Sequence, residues 1–208
     1  MKRLIIIVFL LSSISLASQN FEGILVNSIN YESKDSSVSS EQLNSLLGTK
    51  QFYAIKEGNY KSVFNGLFIK LQIYKNDENR NYSLTSKSDT LYYEDYSLNK
   101  DKVLSFKIEK NKDTIMGILC DLITVKSEKG KTSIYFSSNY KINPDLYKQH
   151  NYGNWNYIVS KIKALPIKTI QETEQFIMTS IATEITPMKL KDNVFEIQNK
   201  KRVAPAYW

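Results

Sequence analysis

The sequence is poor in the residues from which most metal and nucleophilic sites are built. Its 208 residues include one cysteine, Cys120, and one histidine, His150. A structural zinc site takes four Cys or His ligands. A chain with one cysteine and one histidine cannot supply them, so a structural zinc site is excluded. A single cysteine also excludes an intrachain disulfide, and the fold must therefore be held by its apolar core alone.

Sequence motifs of catalysis are absent as well. The chain contains no glycine-rich phosphate loop and no G-x-S-x-G nucleophile turn. Nothing in the sequence brings Cys120 and His150 together as a nucleophile and base. Glu94-Asp95 and the pair Glu172 and Glu174 are the candidate carboxylates of a glycosidase. We therefore predict no enzyme, no metal and no cofactor, and keep a hydrolase with acidic partners around His150 as an alternative.

Cys120 itself is predicted to be a buried, unreactive thiol. Ile118 and Leu119 precede it, and Leu122 and Ile123 follow one residue later. Such an apolar setting is typical of a cysteine in a protein core rather than of a reactive one.

Long apolar runs are also scarce, and the one that occurs lies at the N-terminus. Lys2 and Arg3 precede an unbroken apolar run at residues 4–11, and Ser15-Leu16-Ala17 follows it. These three parts predict a secretory signal peptide over residues 1–17, too short to span a bilayer as a stop-transfer helix. We expect a mature chain of residues 18–208, exported to the periplasm or the extracellular space and soluble. No apolar run of spanning length occurs in the rest of the sequence either, so no integral membrane protein is expected.

The charge of the chain gives no sign of a nucleic-acid partner. The formal net charge of +7 falls to +5 once Lys2 and Arg3 leave with the signal peptide. Basic and acidic residues are interspersed through most of the chain, whereas a nucleic-acid-binding protein carries a concentrated basic stripe. The charges therefore indicate an ordinary solvated surface.

Short alternating apolar stretches separated by Asn, Asp, Gly, Ser and Lys predict many antiparallel strands. Strands are expected at residues 21–32, 50–57, 60–65, 67–75, 82–87, 91–93, 103–110, 114–126, 132–137, 167–171, 175–186 and 193–197. Gly58-Asn59 and Asn65-Gly66 are two-residue hairpin signals. Gly117 is interpreted as a bulge or bend inside a long strand.

Two short helices interrupt this pattern. Ser39 or Ser40 can cap a helix that runs to Leu47, and Gly48 ends it. Residues 155–163 form the second, ended by Pro166. Together these elements predict a single mainly β domain over residues 18–208. It would be a curved antiparallel sheet forming an open half-barrel, with one or two short covering helices.

Aromatic residues are abundant, with 14 tyrosines and nine phenylalanines. Many crowd the middle of the chain and the loop at residues 139–155. The preference of aromatic residues for β-sheets and barrel rims explains them in one interpretation. In the other, they line an apolar cleft for a lipid or another hydrophobic ligand.

Several stretches of the mature chain resemble a family of exported, functionally uncharacterised bacterial proteins typical of Bacteroidetes. The most specific are Tyr152-Gly153-Asn154-Trp155, Ala164-Leu165-Pro166-Ile167-Lys168, Ala182-Thr183-Glu184-Ile185 and Val194-Phe195-Glu196-Ile197. That family is in turn similar to the LolA/LolB-type lipoprotein carriers. The resemblance implies an open, strongly curved half-barrel whose concave side holds acyl chains. It implies no functional residues for this chain.

Together, the sequence and the resemblance predict a lipid-binding or hydrophobic-ligand-binding, carrier-like protein of the cell envelope. One alternative is an envelope module that binds another envelope protein and has no ligand of its own, and the other is the hydrolase. Apolar residues of the predicted strands are the candidate lining of the binding site, an assignment that depends on strand register. They are Phe64, Leu71, Phe106, Ile134, Phe136, Leu165 and Ile181.

Overall fold

A computed structural model of the chain describes residues 20–197 and 202–207. The predicted signal peptide at residues 1–17 lies outside the described residues. Within them, twelve strands form one sheet, accompanied by two α-helices and three short 3-10 helices. The sheet is curved and does not close on itself, which confirms the prediction of a mainly β fold with a large curved sheet.

The strands and helices follow one another closely along the chain. The first half contains β1 (Gly23–Ser33), α1 (Ser40–Leu47), β2 (Lys50–Lys56), β3 (Asn59–Phe64), β4 (Ile69–Lys75), β5 (Arg80–Thr85) and β6 (Leu91–Asp95). The second half contains β7 (Val103–Ile115), β8 (Ile118–Ser127), β9 (Gly130–Lys141), α2 (Trp155–Ile162), β10 (Ala164–Glu172), β11 (Phe176–Pro187) and β12 (Val203–Pro205). The 3-10 helices are Pro144–Tyr147, Tyr152–Asn154 and Asp192–Phe195.

The sheet consists of two antiparallel arms that meet at β1. The strand order is β12-β6-β5-β4-β3-β2-β1-β11-β10-β9-β8-β7, and only β12 runs parallel to its neighbour among the described strands. One arm runs outward from β1 to β6 through consecutive hairpins. The other returns from β7 at the far edge to β11, which pairs with β1 from Gly23 opposite Pro187 to Ser33 opposite Phe176.

Both predicted helices are present, but α2 ends at Ile162, before Lys163 in a left-handed conformation, and Pro166, which was expected to end it, lies within β10. The local signals that predicted α1 are observed. The Ser39 hydroxyl accepts a hydrogen bond from the Gln42 backbone N–H, and the Gln42 side chain accepts one from the Ser39 N–H. This capping box satisfies two of the donors that a helix N-terminus leaves unpaired. Gly48 ends α1 with a φ of 97°, which favours glycine.

Turns and strand ends differ from the prediction in several places. Met116-Gly117 is a hairpin turn with positive φ at both residues, so it splits the strand expected at residues 114–126 into the end of β7 and the start of β8. The bulge lies instead near Asn111, where the register shifts. The first hairpin turn is Glu57-Gly58, one residue earlier than expected.

The C-terminal segment also differs from the prediction. The strand expected at residues 193–197 is the 3-10 helix Asp192–Phe195, whose Phe195 side chain is buried. Burial of an apolar side chain at a local turn replaces the pairing that alternation suggested. The closing strand is β12, further along the chain, beside β6.

The segment of residues 142–163, named the plug, packs against one face of the sheet, named the inner face. It contains two 3-10 helices and α2. Ile158 and Ile162 of α2 pack on a buried cluster with Ile123, Ile134 and Phe136. A second cluster joins the plug to the other arm and contains Phe21, Leu25, Ile55, Tyr74, Tyr96, Ile142, Tyr147, Val159 and Leu165. The plug therefore ties the two arms together through apolar burial.

Cys120 is fully buried, as its apolar flanks predicted. It packs in a third cluster with Ile115, Ile167 and Ala182. Burial raises the pKa of its thiol, so the reactive thiolate form is disfavoured.

Candidate functional site

A cavity of about 310 Å³ lies between the centre of the inner face and the plug. Its walls come from β1, β2, β3, β10 and β11, and Trp155 at the start of α2 also lines it. The lining residues are Leu25, Asn27, Ile29, Tyr31, Gln51, Tyr53, Phe64, Trp155, Leu165, Pro166, Ile167, Thr169, Met178 and Ser180. Pockets for small molecules begin at about 300 Å³, so this cavity is at the small end of that range.

The register of the central strands explains one wall of the cavity. Every second residue of β1 from Leu25 to Tyr31 lines it, as expected from the period of a strand. Pairing with β2 places Gln51 opposite Asn27 and Tyr53 opposite Leu25. Phe64 of β3 is then opposite Gln51.

The opposite wall departs from strict alternation. Leu165, Pro166 and Ile167 all line the cavity although they are consecutive in β10. The register between β10 and β9 shifts on both sides of Pro166. Proline has no N–H for the ladder and is found at such irregularities, so the local break admits three successive side chains to the lining.

The lining combines apolar side chains with neutral hydrogen-bonding groups. Asn27 Nδ2 donates to Gln51 Oε1 at 2.8 Å, and Gln51 Nε2 donates to Ser62 Oγ at 2.9 Å. Thr169 and Ser180 lie directly opposite each other on β10 and β11. None of the fourteen lining residues is Asp, Glu, Lys, Arg or His.

The two tyrosines that line the cavity are also uncharged. Burial raises the pKa of Tyr31 and of Tyr53, so both hydroxyls hold their protons at neutral pH. The cavity wall is therefore uncharged.

An aromatic cluster around His150 adjoins the cavity through Trp155. The rings nearest to the imidazole are Tyr60, Tyr74, Tyr96, Tyr147 and Trp155, with centroids 4.6 to 6.3 Å away. The Tyr60 hydroxyl is hydrogen-bonded to His150 Nε2 at 3.0 Å. These rings come from β3, β4, the segment after β6 and the plug, so the sheet and the plug are joined here.

The surroundings hold His150 neutral. Its side chain is 3% exposed, and burial lowers its pKa to about 4. His150 Nδ1 and Trp155 Nε1 are buried without a hydrogen-bond partner among the described residues. A general base needs a pKa near the working pH, so this imidazole is a poor candidate for one.

Two of the four candidate carboxylates of a hydrolase, Asp95 and Glu172, are held by other groups. Glu172 forms ion pairs with Lys131 and Lys34, and these two lysines lower its pKa. A catalytic general acid needs the opposite shift. Asp95 Oδ1 accepts a hydrogen bond from the Ser97 N–H. Over residues 20–197 and 202–207, no three His, Cys, Asp or Glu side chains are placed to share a metal ion.

Two of the seven predicted lining residues, Phe64 and Leu165, meet in the cavity. Ile134 and Phe136 face the plug and are buried beneath α2. Phe106 lies on the edge strand β7, 44% exposed, with its ring edge-on to Tyr157.

Leu71 and Ile181 lie on the other face of the sheet. Leu71 is opposite Val63, between the inner-face positions of β4. Ile181 follows the lining residue Ser180, and successive side chains of a strand point to opposite faces.

Of the two helices predicted to cover the site, only α2 contributes to its lining, through Trp155. The other helix, α1, lies beside the end of β1, where the Tyr31 N–H donates to Asn44 Oδ1. The polar lining residues Asn27, Gln51, Thr169 and Ser180 were not predicted. Only the alternation of β1, with Leu25, Asn27 and Ile29 at every second position, carried a signal for any of them.

Within the described ranges, no helix is both long enough and apolar enough to cross a membrane. The fold and its cavity thus define a mainly β protein with one curved, unclosed sheet and a plugged inner face.

Comparisons with known proteins do not narrow this class. No protein-family model and no curated protein matches the chain. An uncharacterised conserved protein from Thermus thermophilus is similar with a TM-score of 0.47 and 6% identity, over 89% of this chain and 91% of that one. A structure of PNGF-II is similar with a TM-score of 0.46 and 12% identity, over 88% of this chain and 31% of that one. This chain thus spans less than a third of PNGF-II, and neither likeness identifies a function.

Proposed function

We propose that this protein binds a small lipid-like molecule in the cavity on its inner face. The observation that carries this proposal is the cavity itself, of about 310 Å³, which the plug borders but does not fill. Leu25, Ile29, Leu165, Ile167 and Met178 give it an apolar surface. Burying ligand hydrocarbon against such a surface contributes about 25 cal/mol for each Å².

The way the cavity is built supports binding rather than catalysis. Its walls are strands of a continuous sheet, which fix their side chains better than loops do. The histidine beside it is neutral and enclosed by aromatic rings. A preformed, mostly apolar site with a few neutral polar groups is typical of small-molecule binding.

We further propose that the protein is an exported carrier of the cell envelope with an open half-barrel similar to that of LolA and LolB. The curved, unclosed sheet is compatible with such a half-barrel. The signal-peptide pattern of residues 1–17 supports export. The carrier role is inferred from the analogy of fold.

The test is to fill the cavity and measure binding. Ser180→Phe places a ring in the lining, while Ser28→Phe makes the same change at an exposed position on the other face of β1. Residues 18–208, purified without detergent, would be analysed by native mass spectrometry with lipid extraction, and by the fluorescence of the neutral probe N-phenylnaphthylamine. We expect Ser180→Phe to lower probe affinity by about tenfold or more, since the ring occupies the ligand's space. Ser28→Phe should bind as the unaltered protein does.

A protein that carries no lipid after purification and takes up neither the probe nor added lipids would overturn the proposal. An envelope interaction module without a ligand would then be the better interpretation. Equal loss of binding in both variants would also count against the cavity as the site.

A further inference from the structure

The chemistry of the lining narrows the class of ligand, if the proposed binding function holds. Four neutral polar residues form two cross-strand pairs within the lining of the cavity. This set, named the polar patch, consists of the cross-strand neighbours Asn27 and Gln51 and the cross-strand neighbours Thr169 and Ser180. Ile29, opposite Ser180, links the two pairs along β1.

The patch has hydrogen-bonding capacity beyond its internal bonds. A carboxamide has two N–H donors and an oxygen with two lone pairs. Asn27 uses one N–H on Gln51, and Gln51 uses one on Ser62. Each amide can therefore still donate to or accept from a ligand group, and the hydroxyls of Thr169 and Ser180 can do both.

Apolar side chains lie on both sides of the patch. Leu25, Tyr53 and Leu165 flank it towards the plug, and Tyr31 and Met178 flank it at the far end. A ligand complementary to this lining therefore presents a polar group to the patch and hydrocarbon elsewhere.

Among the residues that the structure describes, none that lines the cavity carries a charge that could balance an ionised ligand. Lys70 of β4 shares the inner face with Gln72 and Tyr74, but its ammonium group donates to the Gly66 carbonyl at 2.6 Å. An ionised carboxylate buried without a counter-charge loses far more solvation than a hydroxyl, ester or amide that finds hydrogen bonds.

We propose that the ligand is an uncharged amphiphile. Its hydroxyl, ester or amide group hydrogen-bonds to the polar patch, and its hydrocarbon packs on the apolar lining. The cavity discriminates against the carboxylate of the same chain length.

A matched series of ten-carbon compounds tests this. The measurement is the displacement of N-phenylnaphthylamine from residues 18–208 by each of decanol, decanamide, decanoic acid and decane. It is made at pH 7.4, where the acid is ionised. We expect decanol and decanamide to bind at least about tenfold more tightly than decanoate. Both should also bind more tightly than decane. Decanoate binding as tightly as decanol, or decane binding as tightly as decanol, would overturn the proposed class.

A pair of variants locates the discrimination. Asn27→Leu removes one amide of the patch, and Asn30→Leu makes the same change at an exposed position on the other face of β1. Asn27→Leu should abolish the preference for decanol over decane while retaining probe binding, and Asn30→Leu should keep the preference. An unchanged preference in Asn27→Leu would refute the role of the patch. If no compound in the series binds and the probe does not bind either, the proposed function itself fails.

Discussion

His150 shows how far a residue's role depends on its surroundings. The sequence predicted that His150 lies in a loop rich in Tyr and Asn, and in the structure it lies within the plug. Its burial against Tyr60 and Tyr74 needs β3 and β4, which are remote in sequence. A lone histidine that could have been a catalytic base is instead a neutral hydrogen-bonding partner between the plug and the sheet.

This burial predicts a specific dependence of stability on pH. The folded state lowers the pKa of His150 from its ordinary value of 6.5 to about 4. The unfolded chain therefore takes up the proton first as the pH falls. We expect the free energy of unfolding to be highest above pH 6.5 and to fall between pH 6.5 and pH 4, by up to about 3 kcal/mol from this group. Urea unfolding at several pH values measures it.

His150→Gln is the control, because glutamine keeps a group that can hydrogen-bond Tyr60 but does not titrate. The difference in the free energy of unfolding between the two proteins isolates the contribution of His150. Acidic residues such as Glu22, Asp121 and Glu172 have lowered pKa values in the folded state, so their contributions to the stability of the protein are lost at lower pH in both proteins. The prediction fails if His150→Gln shows the same fall between pH 6.5 and pH 4 as the unaltered protein.

At the scale of elements, α1 is docked through a close approach of two backbones. The Leu67 and Phe68 N–H groups donate to the carbonyls of Ser45 and Leu46 in α1, at 3.0 and 2.9 Å. Gly66 precedes them, and a Cβ atom there would lie 2.6 Å from the Leu47 carbonyl oxygen. Asn65-Gly66 was predicted as a two-residue hairpin turn. Instead, Gly66 is needed here because it has no side chain, which lets its backbone approach the backbone at the end of α1.

Gly66→Ala should therefore destabilise the protein strongly. The added methyl group meets backbone atoms of Leu47 and Gly48, which cannot rotate away, and we expect a loss of about 2–4 kcal/mol. Gly117→Ala is the comparison, since its Cβ meets no atom within 4 Å and only its φ of 76° is unfavourable. That variant should lose about 1 kcal/mol. Thermal and urea unfolding measure the stability of both variants. Equal losses in the free energy of unfolding would contradict the importance of the backbone contact at Gly66.

Elements were predicted better than their boundaries. The capping signals at Ser39 and Gly48 are local, so they identified α1 correctly. Met116-Gly117 was missed as a turn because methionine rarely adopts a positive φ, and nothing nearby in sequence reveals that the strand reverses there.

At the scale of the whole molecule, an unclosed sheet must protect two edges. On the β7 edge, Lys107, Lys110 and Lys112 and the bulge at Asn111 interrupt a 13-residue strand. Charged side chains and bulges are common means of preventing edge-to-edge pairing. On the other edge, β12 covers β6 in parallel.

Removing β12 should expose the β6 edge. The Leu91 N–H donates to the Arg202 carbonyl at 2.8 Å, and the Ala206 N–H donates to the Tyr93 carbonyl at 2.9 Å. We expect truncation after Ile197 to lower the free energy of unfolding by about 1–3 kcal/mol and to promote self-association, because β6 is left with unpaired backbone groups. Light scattering coupled to size-exclusion chromatography measures the association.

Tyr207→Ala is the matched variant, since it removes the ring contact with Tyr92 and leaves the backbone pairing of β12 in place. It should remain in the same oligomeric state as the full chain. A truncated protein as stable and as dispersed as the full chain would show that β12 does not protect the edge.

Local chemistry was sufficient for the mainly β class, for α1, for the presence of α2 and for the buried Cys120. Alternation, capping residues and apolar flanks act over a few neighbouring positions, so they can be read from the chain. The cavity was decided only by tertiary structure. It exists because β1 pairs with β11, from Gly23 opposite Pro187 to Ser33 opposite Phe176, and because the register of each pair selects the face of every side chain. Phe64 and Leu165 therefore lie in the cavity while Leu71 and Ile181 lie on the other face, since alternation within a strand is local but the face that becomes covered depends on remote pairing and on where the plug packs.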